Sequence, residues 1–280
     1  MKNKKLFIKV LLVELILCST PVFSEDILSE SDLVAIYEVV NYKPVLTTMN
    51  SSDALKKIEE LRNNYISNSN IKNLSEQGLL ILDGLLTLEE VNYRLNYDTN
   101  NQNLESIIAP INEKLNIWIV NHKDSETSPW LFVVAGDLLA VGLNSYPVAK
   151  LLDVGFTIKN YYENALKNNP DFSPGNVSLA QWYFYAPFLA GGNKKKAQAL
   201  FETGIETANG IGEQFFANLY YSQFLLDQKD KSGSKDAFST AQTIQPNSKK
   251  LDFIKMLNDN GYTYFYYILN KDKVDKKLGL

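Results

Sequence analysis

Three large aromatic residues, Tyr162, Phe201 and Phe238, recur at steps of 39 and 37 residues. A small residue follows each of them, at Ala165, Gly204 and Ala241, and Pro170 and Pro246 close the first and last of these segments. A period of this size marks a unit that cannot bury its apolar face alone and must stack on its neighbours. The rest of the chain is compatible with that constraint. Apolar residues recur at three- and four-residue spacing, and no alternating strand pattern of convincing length is present. Clusters of Asn, Pro, Gly and Ser at 42–52, 67–74, 97–103, 122–129, 143–147, 169–176, 190–193, 228–233 and 245–248 cut it into about ten expected helices. Ser31 before Asp32 and Ser75 before Glu76 read as helix caps. The fold class expected is all-α, a stack of five or so antiparallel helix hairpins.

The hairpin details resemble the tetratricopeptide repeat (TPR), in which small residues sit where two helices touch and a proline ends the second helix. Ser222, Leu225, Phe238, Ala241 and Pro246 fall at those offsets, with Ser234 where alanine is usual. The preceding hairpin supplies Phe188, Gly192-Asn193 at its turn, Ala197, Phe201 and Gly204. Upstream, Leu80–Leu86 and Val133–Leu139 each place a glycine (Gly84, Gly136) inside a helical stretch. Such a glycine costs about 1 kcal/mol relative to alanine, which close helix packing would explain. The amphipathic segment from Leu251 to Tyr267 reads as one capping helix over the open end. The organisation expected is a leader over 1–24, divergent helical hairpins over 25–128, TPR-like repeats with the cap over 129–269, and a polar tail over 270–280.

The order of residues from Tyr161 to Ala208 carries a narrower resemblance. Tyr162-Glu163-Asn164-Ala165-Leu166 precedes Asn169-Pro170-Asp171-Phe172, and Ala186-Pro187-Phe188-Leu189-Ala190-Gly191-Gly192-Asn193 leads into Lys194-Lys195-Lys196-Ala197. This resembles the periplasmic TPR component associated with tripartite ATP-independent periplasmic (TRAP) transporters of spirochaetes, over about 130–269. The resemblance implies an exported adaptor whose partner is a transporter's solute-binding protein.

The N-terminus has the form of an export signal. Lys2, Lys4, Lys5 and Lys9 precede or interrupt an apolar run over 6–17, Pro21 breaks it, and Val22-Phe23-Ser24 offers a cleavage site. The run is shorter than the roughly 20 residues a spanning helix needs. Cys18, the single cysteine, follows Leu15-Ile16-Leu17 in the outline of a lipobox. Cleavage after Ser24 is the reading preferred, with lipidation of Cys18 as the alternative, because Leu17 is larger than the residue that usually precedes a lipidated cysteine. Both place the protein outside the inner membrane, in a periplasm, free or lipid-anchored. Residues 1–24 hold four lysines and Glu14, so the remainder carries 24 basic and 31 acidic side chains, a net charge of −7. With only Arg62 and Arg94 as arginines and no basic stripe, nucleic acid is not an expected partner.

Catalytic chemistry finds little support. One histidine, His122 in a polar break, and no cysteine after residue 24 leave no set of His or Cys metal ligands and no thiol nucleophile. The Ala190–Lys196 turn lacks a preceding strand and phosphate-loop spacing, and reads as a repeat turn followed by a solvated lysine face. Asp83 and Asp137 occupy equivalent positions and would face one interior, where burial raises a carboxyl pKa. Hydrogen bonding to a neighbouring helix is the reading preferred for both. The chain is expected to be no enzyme and to use no cofactor or metal. The first helix of each hairpin would line a concave groove, with Trp130 and Asp137, Trp182 and Leu189, and Phe216, Tyr220 and Gln223 on three successive hairpins. That groove is expected to hold an exported protein partner. The alternative is a small apolar ligand enclosed in the stack.

Overall fold

Ser29 starts the first helix, not Ser31. Its Oγ accepts from the Asp32 backbone N–H at 3.1 Å while its own N–H donates to Asp32 Oδ2 at 3.0 Å, a reciprocal capping box. Asp32 Oδ1 also accepts from the Ser75 backbone N–H at 2.9 Å, which joins this start to the start of a later helix. Burial works against the Asp32 charge, but the Ser29 and Ser75 hydrogen bonds outweigh it and hold the carboxyl below its ordinary value.

The computed structural model describes residues 27–67, 73–97, 104–143 and 146–280. The expected leader and Cys18 lie outside them. Thirteen α-helices and no strand occur among the described residues, so the protein is all-α. They are α1 (Glu30–Leu46), α2 (Ser51–Arg62, continued by a π turn over Asn63–Ser67), α3 (Glu76–Tyr97), α4 (Leu104–Asn121) and α5 (Pro129–Val141). Next come α6 (Leu151–Lys167), α7 (Ser173–Tyr185), α8 (Lys194–Glu206), α9 (Ile211–Asp227) and α10 (Lys231–Ile244). The chain ends in α11 (Lys249–Asp259), α12 (Tyr264–Leu269) and α13 (Lys271–Leu278).

The expected single cap over 251–267 is two helices, α11 and α12. Gly261, at φ 83°, turns the chain between them, a backbone conformation that side-chain-bearing residues rarely adopt. The segment expected as a polar tail ends in α13, which buries Val274 in the last of three apolar clusters.

The closest helix pairs are α5 with α6, α7 with α8 and α9 with α10. Their connections are short enough that each chain folds straight back. Phe201 and Ala197 are fully buried at the α7–α8 contact, and Tyr162 and Ala165 are buried beside α5. Gly84 and Gly136 sit at close approaches: a Cβ at Gly84 would lie 2.2 Å from Val134 Cγ1, and one at Gly136 would lie 2.4 Å from the Tyr162 ring. The close packing offered as the reason for these two glycines is present.

The first helix does not pair with α2 as a hairpin would. It packs on α3 and, across the molecule, on α9. Asn41 Oδ1 accepts from the Gly212 backbone N–H at 3.0 Å, 171 residues along the chain, and Thr47 O accepts from the Lys249 N–H at 2.9 Å. The break expected to begin at residue 42 is not there, since α1 runs on through Pro44 to Leu46. Proline lacks the N–H that would bond the carbonyl four residues earlier, and that Val40 carbonyl is turned toward Gly212. A Cβ at Gly212 would stand 2.1 Å from Val40 O. Gly212→Ala is therefore expected to push α1 off α9 and lower stability by about 1–3 kcal/mol. Urea denaturation checks this, and an unchanged midpoint would mean the contact is loose.

Candidate functional site

Phe216 and Tyr220 lie one turn apart on α9, which places both side chains on one face of the helix. Four other helices bring charge to that face. Lys43 of α1 puts its Nζ 5.0 Å from the centre of the Phe216 ring and 2.9 Å from Glu89 Oε1 of α3. Lys250 of α11 approaches the same ring at 5.6 Å and the Tyr264 ring of α12 at 5.3 Å. Two ammonium groups thus flank one phenylalanine. Lys43 is neutralised by Glu89, whereas among the described residues no carboxylate pairs with Lys250. Burial works against the Lys250 charge, but Tyr264, Tyr220 and Glu89 outweigh it and hold the amine above its ordinary value.

Asp137 of α5 completes the set. Its Oδ1 accepts from Tyr162 Oη at 2.8 Å and from Ser178 Oγ at 3.0 Å. Burial raises its pKa above the ordinary carboxylate value, against those two hydrogen bonds and the charge of Lys43. For Lys43 burial acts in the opposite sense on the ammonium, and Glu89 more than offsets it, so the amine is held above its usual value. Lys43, Asp137, Tyr220 and Lys250 are each half-buried, and the charge of Lys43 acts on Asp137 and Tyr220. They form one cluster with aromatic neighbours and two cations.

The residues expected in one groove are therefore divided. Phe216, Tyr220 and Asp137 belong to the lysine cluster. Gln223 is fully buried and structural: its Oε1 accepts the Tyr264 backbone N–H at 2.9 Å and fixes the start of α12. Trp130 is core, not open groove. It is 5% exposed because α1 covers it, with Tyr37 edge-on at 5.9 Å and Phe172 at 5.1 Å. Trp182 is half-buried on the far side, where its Nε1 donates to Gly155 O at 2.8 Å and Lys159 lies over its ring. Leu189 is 97% exposed on the α7–α8 connection.

Asp83 and Asp137 do not share an interior. Asp83 pairs with Arg62 of α2, which also reaches Glu90 at 3.2 Å, in a network on the α2–α3 side. His122 is exposed and stacks on Trp118 at 3.9 Å. Among the described residues no group of three or more His, Cys, Asp or Glu side chains is placed to hold a metal ion. A separate cleft of about 600 Å³ opens on the outer side of α1, lined by Val34, Tyr37, Glu38, Asn41, Tyr42, Leu61 and Tyr65.

Lys43, Glu89, Lys250 and Tyr264 escaped sequence reasoning because each comes from a different helix. One local signal existed for the first: Lys43 is a lone charge in the apolar stretch of α1, immediately before its proline. Compared with known proteins, the chain matches no protein-family model and no curated sequence.

Proposed function

We propose that this chain is a non-catalytic binding protein that acts outside the inner membrane and encloses a small molecule in a TPR-like helical stack. The observation that carries this reading is the half-buried Lys43–Lys250 cluster, where two ammonium groups flank the Phe216 ring between α1, α9 and α11. The three pairs α5–α6, α7–α8 and α9–α10, with their 39- and 37-residue recurrence, support TPR-like stacking. The lining alters the ligand class first expected. No carboxylate contacts Lys250 among the described residues, and the Glu89 that attracts it is already paired with Lys43, so a ligand with a polar group for the lysines and an aromatic or aliphatic body for Phe216 and Tyr220 fits best.

The second reading is the adaptor, with a solute-binding protein of a TRAP transporter as partner. The outer cleft beside α1 favours it, because three tyrosines and half-exposed Val34 there suit a partner's segment. Native mass spectrometry of protein purified without detergent separates the two. The wild type is expected to carry a small-molecule mass that Lys250→Met lacks. A bare wild-type chain with a co-purifying protein would favour the adaptor and sink the enclosed-ligand reading.

A further inference from the structure

Three of the large apolar side chains are more exposed than any other among the described residues: Leu189 at 97%, Phe188 at 88% and Val148 at 85%. They lie on two connections, before α6 and after α7, at one end of that helix pair. Trp182 near the end of α7 bonds Gly155 near the start of α6, and its ring lies 6.4 Å from that of Phe156. Val148 and Leu152 precede that contact and Phe188 and Leu189 follow it, so both connections project past it on the same side. Leu152 and Phe156 add 58% and 41% exposure to the same end.

The α7–α8 turn is built so that its apolar pair cannot fold back. Pro187 O accepts from Ala190 N–H at 2.9 Å and from Gly192 N–H at 3.0 Å. Gly191 takes φ 96°, and Gly192 sits where a Cβ would come within 1.8 Å of Ala186 O. Lysines stand around this tip. Lys150 and Lys195 are exposed with no ion pair among the described residues, Lys194 pairs with Asp227 at 3.0 Å, and Lys196 lies over the Tyr183 ring at 5.2 Å. Exposed Asp153 is the opposing charge nearby in the chain. This end is net positive on a protein whose overall charge is −4.

An apolar tip with a basic collar is the arrangement by which a protein lies in a membrane interface, where burial of apolar area and attraction to anionic lipid add. We propose that the α5–α6 and α7–α8 connections seat this protein on an anionic lipid surface. Phe188, Leu189 and Val148 enter the boundary between headgroups and acyl chains, and Lys150 and Lys195 meet lipid phosphates. Two turns and their lysines share this duty, which suits a fluid surface better than a single shaped socket on a protein. The proposal is independent of the function proposed for the Lys43–Lys250 cluster.

The test reads insertion at the tip itself, so that the apolar leader does not confuse it. In the full chain with Cys18→Ser, an environment-sensitive dye is attached to Leu189→Cys, and in a second version to Val120→Cys, another exposed apolar position. The dye at 189 is expected to shift to shorter wavelength on vesicles of phosphatidylcholine and phosphatidylglycerol in equal parts, and the dye at 120 is not. Phe188→Ser, or Lys150→Glu with Lys195→Glu, is expected to raise the lipid concentration needed by about tenfold, with unchanged melting because all three positions are exposed. No shift at 189, an equal shift at 120, or indifference to these substitutions would overturn the proposal. Silence on vesicles with a shift on a co-purified protein would reassign the surface to that protein.

Discussion

Trp130→Ala is expected to lower folding stability by about 3–5 kcal/mol, the range for truncating a buried aromatic, while Leu189→Ala changes it by no more than about 0.5 kcal/mol. Both residues occupy groove-facing offsets by repeat arithmetic, so the contrast isolates what the rest of the fold does to them. Trp130 is held between Tyr37 of α1 and Phe172 at the entry to α7, and it belongs to the first apolar cluster. Removing the indole leaves a cavity where three segments meet, and a shared wall of that kind collapses poorly. Leu189 loses nothing on truncation because it touches little. Trp182→Ala should fall between them, since it gives up one hydrogen bond to Gly155 and the contact with Phe156. Denaturant midpoints for the three variants give the order directly. If Trp130→Ala falls no further than Leu189→Ala, the placement of α1 over α5 is wrong.

That contrast also marks where sequence reasoning stopped. Spacings within one hairpin are set by helix geometry, so they survive in the pattern of residues. Tyr162, Phe201, Ala165, Ala197 and Ala241 were legible as contact positions and are all buried. Gly84 and Gly136 were legible for the same reason, as each lies at a helix contact too close for a Cβ. What packs on α9 from the far end of the chain is a different kind of fact. The α1–α9 contact joins Asn41 to Gly212, and nothing in either local stretch announces the other. The Val40 carbonyl stands against Gly212 only because the two helices meet in space.

The lysine cluster was half legible by the same logic. Phe216, Tyr220 and Asp137 follow from the repeat register, because the first helix of a hairpin shows a predictable face. Lys43, Glu89, Lys250 and Tyr264 come from helices outside the three regular pairs, and their meeting depends on how α1 and α11–α12 return. Lysine at these positions looks like surface in the sequence, where a charge defaults to solvent. Only the packing makes it half-buried.

Stability is expected to fall as pH rises from about 5 to 8, and Glu213 is the residue expected to cause most of that fall. It lies in the first turn of α9, 8% exposed, beside the point where α1 docks. Its Oε2 accepts from the Asn209 backbone N–H at 2.6 Å, while Oε1 is buried with no hydrogen-bond partner. Burial pushes its pKa up to about 7 from an ordinary 4.5, with the Asn209 bond opposing the shift. Between those values the folded protein holds a proton that the unfolded chain has released. The unfolded state therefore binds fewer protons, and stability declines through this window and levels off above pH 7. The full decline corresponds to on the order of 3 kcal/mol. Tyr37 of α1 feels the same charge, since Glu213 helps raise the pKa of its hydroxyl. Asp137 drifts in the same direction and Asp32 in the opposite one at lower pH, so a difference between variants is cleaner than one curve. Glu213→Gln keeps an oxygen for the Asn209 N–H and cannot ionise. It is expected to match the wild type near pH 5 and to exceed it at pH 8 by up to about 3 kcal/mol. Guanidinium denaturation of both proteins at the two pH values measures this. Parallel losses in the two would show that Glu213 is already ionised at pH 5, and that α1 docks against a charge.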